Sequence, residues 1–138
     1  MTATINGIVL EIDRGVSPGA SAEDSTVYLL SGGSTISNNA ASGGLWTSAG
    51  GVATYGSTTN ASTYWGSGVT ASVVSGATFG VRISALIGLP NQAYIDYIRM
   101  TVYYTPLGGS VYDSFIDLIH AMAKNISCRI APSATCRK

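Results

Sequence analysis

The residues able to do chemistry are few and scattered. His120 is the single histidine of the chain, and Asp113, Asp117 and Lys124 fall on its face at helical spacing. An Asp-x3-Asp-x2-His row could bind a divalent metal. A solvated stripe in which Asp117 and His120 pair at i,i+3 is the simpler expectation. Serines are abundant, but no Gly-x-Ser-x-Gly elbow occurs, so a catalytic triad would have to recruit its histidine from that distant helix. Glu23 and Asp24 are neighbours in a loop-like stretch and, with Asp13, could hold calcium; a turn-rich acidic surface loop accounts for them more simply. Gly66-Ser-Gly-Val-Thr-Ala71 matches G-x-G-x-x-A, but Ser72-Val-Val-Ser-Gly76 reads as a strand and a turn where a phosphate cradle needs a helix. The expectation is therefore a protein without catalytic, cofactor-binding or metal-ligating residues.

Aromatic rings offer a second kind of site. Trp46, Tyr55, Tyr64 and Trp65 sit in or beside Gly/Ser/Thr-rich loops, where exposed rings stack on sugars. Trp46, Tyr64 and Trp65 are the candidate glycan contacts. The alternative is that such rings plug the ends of a core, with their polar atoms bonded to loop backbone. Cys128 and Cys136 are a candidate disulfide pair closing a short loop, or two free thiols. Asn60-Ala-Ser62 and Asn125-Ile-Ser127 match the N-glycosylation triplet, which carries weight only in an exported chain.

Composition narrows the partners. Charged residues make up 10% of the 138 positions, against about a quarter in ordinary domains. A nucleic-acid binder needs clustered Lys and Arg to neutralise phosphates, and no such cluster is present. A hydrophobic fraction of 46% is too high for a disordered chain. No apolar run approaches the roughly 20 residues of a membrane helix, and the start lacks the pattern of a signal peptide. Neither a nucleic acid nor a membrane is expected as partner. Up to Ser110, Glu11, Asp13, Glu23, Asp24 and Asp96 outweigh Arg14, Arg82 and Arg99. Beyond it, Lys124, Arg129, Arg137 and Lys138 outweigh Asp113 and Asp117, leaving a basic tail.

The elements that must position these residues are mostly strands. Ile8, Leu10 and Ile12 alternate with Val9, Glu11 and Asp13 at a period of two. Val16 to Asp24 reads as a loop, and Ser25 to Leu30 as a strand stopped by Ser31-Gly-Gly33. A short strand is expected near Ser34 to Ser37, and others at Val52 to Tyr55 and Val69 to Val74. In Thr78 to Ala85, Phe79, Val81, Ile83 and Ala85 face inward. In Tyr94 to Thr105, the core face is Ile98, Met100, Val102 and Tyr104. So many short strands between turn signals predict an all-β, antiparallel β-sandwich, jelly-roll-like, over residues 1–106. After Pro106-Leu-Gly-Gly109 the period changes. Val111, Phe115, Leu118, Ile119, Met122 and Ile126 form one stripe of a C-terminal amphipathic α-helix, with Ser110 as N-cap. Residues 107–138 thus comprise a linker, this helix and a basic Cys-containing tail.

Several phrases, taken in order, resemble a β-sandwich module of tailed-phage virion structural proteins. They are Ala3-Thr-Ile-Asn-Gly-Ile-Val-Leu-Glu-Ile12, Asp24-Ser-Thr-Val-Tyr-Leu-Leu-Ser-Gly-Gly33, Trp65-Gly66, Phe79-Gly-Val-Arg-Ile83 and Asp96-Tyr-Ile-Arg-Met-Thr-Val-Tyr-Tyr-Thr105. The likeness covers about Thr2 to Thr105; the helix and tail have no counterpart in it. It implies a non-enzymatic role in a virion assembled in the host cytoplasm. For a small free-standing module, that role is a capsid decoration (cement) protein, with a tail or fibre adhesin binding a carbohydrate or receptor as the alternative. Its partners would be the major capsid protein or another virion protein, and copies of itself around a symmetry axis, a trimer among the candidates. Val111, Phe115, Leu118, Ile119 and Met122 are the expected docking face.

Overall fold

The computed structural model describes residues 3–88 and 92–106, together with the backbone of residues 135–136. In chain order the elements are β1 (Ala3–Val16), β2 (Ala22–Ser31), β3 (Ser34–Thr35), β4 (Val52–Ser57), α1 (Ala61–Trp65), α2 (Ala71–Val74), β5 (Gly80–Ile87), β6 (Ala93–Pro106) and β7 (Thr135–Cys136). The all-β expectation holds. One antiparallel sheet has the order β4-β1-β6 and the other β3-β2-β5-β7. Residues of both sheets share one apolar core, in which Ile8, Leu10 and Ile12 of β1 meet Val27 and Leu29 of β2 and Val81 and Ile83 of β5.

Alternation explains these faces. In β1, Ile8, Leu10 and Ile12 are all 0% exposed, and the same parity carries Arg14 inward. Between β2 and β3 the chain reverses through Gly32 and Gly33, both at positive φ (60° and 83°), as a two-residue hairpin turn requires. In β6, Val102 is buried, and Ile98 and Met100 pack against the core as their spacing predicts. A bulge opposite Asp13 and Arg14 then breaks the alternation. Strict alternation would group Ile95 with outward-facing Tyr97; the extra residue turns Ile95 inward, where it is 7% exposed.

Several boundaries differ from the sequence reading. β2 begins at Ala22, because Ala22 and Asp24 take core positions that a turn-rich composition conceals. The strand expected over Val69 to Val74 is instead the single-turn helix α2. Its N-cap is Thr70, whose hydroxyl accepts from the Val73 N–H at 3.4 Å, and Val69 and Val74 close the end of the core. The expected C-terminal helix, with Val111, Phe115, Leu118, Ile119 and Met122, lies outside the described residues. So does Cys128, and of Cys136 only the backbone is described, pairing with Val81 on β5.

Candidate functional site

The described polar side chains that are most deeply buried converge on one carboxylate. Arg14 reaches it from β1 by core-face parity, Asp24 supplies it from β2, and Tyr55 comes from β4. Trp46 comes from the 36–51 connection, where its N–H bonds to the Ala22 carbonyl at 2.9 Å and Leu45 bridges to Glu23. The site thus draws on both sheets and the loop beside them.

Both oxygens of Asp24 are engaged. Its side chain is 0% exposed and forms an ion pair with Arg14 Nη1 at 3.0 Å. Trp46 Nε1 donates to Oδ1 at 2.8 Å, and the Tyr55 hydroxyl donates to Oδ2 at 2.6 Å. Arg14 Nη1 also donates to the Gly44 carbonyl at 3.1 Å, and its Cζ lies 5.1 Å from the Trp46 ring centre, within cation–π range. Burial, and then the hydrogen bond to Asp24, push the Tyr55 phenol well above its ordinary pKa, so Tyr55 stays a neutral donor. A carboxylate held by a guanidinium, an indole and a phenol has a partner on each oxygen, so the cluster pins β1, β2, β4 and the loop together. Nε of Arg14 is buried without a hydrogen-bond partner.

This arrangement corrects the reading of Glu23 and Asp24 as an acidic surface loop or calcium site. Asp24 is core, Glu23 faces the other way on the same strand, and no group of three or more potential metal ligands occurs among the described residues.

The aromatic candidates separate as well. Trp46 is 4% and Trp65 0% exposed, so neither offers a free face for stacking on a sugar. Trp65 donates its indole N–H to the Ile8 carbonyl at 3.0 Å, on strand rather than loop backbone. Gly56 makes room for it: at φ 103° a side chain there would collide with the Ile8 carbonyl and press on the indole nitrogen. Tyr64 is 37% exposed and sits edge-to-face on Trp65, with ring centres 5.2 Å apart. The remaining glycan candidate is therefore a single tyrosine resting on a core tryptophan.

Arg14 escaped the sequence reading, although its parity with Ile8, Leu10 and Ile12 was a usable signal. On the outer face, Glu11 and Arg99 form a two-point ion pair with both contacts at 2.7 Å. A recess of about 300 Å³ lies by the β2–β3 hairpin, lined by Leu30, Ala77, Thr78, Phe79 and glycine backbone, without a titratable side chain. Comparison with protein-family models, with curated proteins and with solved structures finds no match for this chain.

Proposed function

We propose that this chain is a non-enzymatic structural module of a virion, a capsid decoration (cement) protein that docks on the particle and stabilises it. The observation that carries this reading is the double role of β6. It is an outer strand of its sheet, with β1 as its one strand neighbour among the described residues, and it runs directly into the segment bearing the apolar stripe and basic residues. An outer strand that continues into an appended apolar and basic segment suits attachment to a larger assembly. The buried Asp24 cluster supports the same reading, since its polar groups bond to one another inside the fold. The order of the phage-like phrases from Ala3 to Thr105 supplies the virion context. The partner is the major capsid protein or another virion protein, with other copies of this chain assembling around a symmetry axis.

Antibodies against the protein, applied to virions purified from a culture that produces it, test this reading. Labelling over the shell is the expected result. Labelling confined to the tail transfers the role to an adsorption appendage, and unlabelled particles overturn the proposal. A chain ending at Pro106 should fold yet fail to join particles; its full incorporation removes the docking role of residues 107–138.

A further inference from the structure

Two exposed tyrosines lie on the outer face of the β4-β1-β6 sheet, away from the aromatics singled out by sequence. Tyr94 is 39% and Tyr97 38% exposed. Tyr97 is in register with Asp13 and Tyr94 with Gly15, so they occupy successive outward rows about 7 Å apart along the strand. The bulge that turns Ile95 inward is what keeps both rings outside.

The setting of Tyr94 is unusual. A side chain at Gly15 would collide with its hydroxyl end, and one at Gly50 would lie 3.3 Å from that hydroxyl. Two glycines therefore clear a bed on which the hydroxyl end of the ring rests, while the side chain as a whole stays 39% exposed. The bed is stiff, because Arg14 and Gly51 exchange backbone hydrogen bonds at 3.1 and 3.0 Å and Gly50 N–H bonds to the Thr47 carbonyl at 3.1 Å. Asp13 Oδ1 approaches the same spot, 3.9 Å from where a Gly50 side chain would begin. Neither the Asp13 carboxylate nor the Tyr94 hydroxyl is hydrogen-bonded to another described residue. A partly exposed aromatic ring, a preformed floor and two convergent polar groups without a hydrogen-bond partner among the described residues thus lie together.

We infer that this face is a saccharide-binding platform: a neutral pyranose stacks on Tyr94, hydrogen-bonds to Asp13 and the Tyr94 hydroxyl, and extends toward Tyr97. Neutral sugars follow from the charges. Among the described residues Asp13 has no ion-pair partner, and Arg99, two rows from Tyr94, is engaged by Glu11, so none of them offers a free cation to a sialic or uronic acid. A bare cation is disfavoured by shape, since it wants enclosure by several rings and Tyr94 lies open. The site is independent of the virion reading and stands or falls separately.

The test is saturation-transfer NMR and titration of the full chain with neutral glucose, galactose, mannose and N-acetylhexosamine oligosaccharides, with sialylated glycans and tetramethylammonium as comparators. At least one neutral glycan should bind, weakening by about tenfold or more in Tyr94→Ala and in Gly15→Ala, which displaces the ring without removing it. Leu86→Ala, on the other sheet, should leave binding unchanged. Thermal melts of each variant separate lost binding from lost folding. The absence of neutral-glycan binding at millimolar concentrations overturns the inference. So does binding indifferent to Tyr94→Ala, a preference for sialylated glycans, or saturation by tetramethylammonium in place of sugar.

Discussion

Trp46 donates its indole N–H to the Asp24 carboxylate at 2.8 Å, from a position 22 residues further along the chain. With the Trp46 backbone N–H on the Ala22 carbonyl, that bond helps fasten the 36–51 connection to β2, where Arg14 and Tyr55 are the carboxylate's other partners.

Removing the carboxylate should be costly for that reason. Asp24→Ala strands a buried guanidinium, a phenol and an indole N–H, so a loss of about 3–5 kcal/mol is expected. Arg14→Met combined with Asp24→Leu should cost less than Asp24→Ala alone, because no charge is then left unpaired. Urea unfolding of the three chains checks the order; equal midpoints for wild type and Asp24→Ala would show that the cluster is not holding the sheets.

Tyr55 sets an alkaline limit. Its folded pKa is raised from the ordinary value of 10.0, so the neutral phenol is favoured by folding. Its contribution is full below pH 10.0 and is lost as pH rises through the folded value, because the unfolded chain ionises first. Stability should therefore fall with pH above about 10, and Tyr55→Phe should flatten that fall. At neutral pH the same variant should cost about 1–2 kcal/mol, for the bond lost at Asp24 Oδ2. Unfolding curves at neutral and alkaline pH read both effects.

Gly56→Ala should destabilise by about 2 kcal/mol or more, because φ 103° disfavours any side chain and the new Cβ would strike the Ile8 carbonyl. Trp65→Ala should cost about 3–5 kcal/mol, through the cavity left in the core. A shift in thermal midpoint, with the two-sheet circular dichroism signature retained, is the expected result for Gly56→Ala.

Glu11→Gln, by contrast, should leave the unfolding midpoint unchanged. Its partner Arg99 is 64% exposed at the side chain, and solvent and salt screen such a pair even with both contacts at 2.7 Å. The hydrogen bond from Arg99 holds the Glu11 carboxyl below its ordinary pKa, so titration by NMR should show Glu11 rising toward that value in Arg99→Ala. An unmoved Glu11 would mean the pair does not persist in solution.

The sequence by itself determined the strands and their faces, because the period of two is a local property of the backbone. Ile8, Leu10 and Ile12, and Phe79, Val81 and Ile83, were legible in that way, and so was the all-β class. Locally ambiguous stretches were not: Val69 to Val74 alternates well enough for a strand, yet the Thr70 cap and the closing of the core make it a helical turn. Which side chains meet was decided by the tertiary structure alone. Arg14, Asp24, Trp46 and Tyr55 are spread along 42 positions of chain, and nothing in their spacing shows that one carboxylate gathers them. The same holds for Tyr94 and Gly15, whose contact depends on strand register and on a bulge. Of the two readings the sequence left open for Trp46 and Trp65, sugar contact or core plug, the structure decides for the core, because burying a large ring with its N–H satisfied outweighs the polar composition of the neighbouring chain.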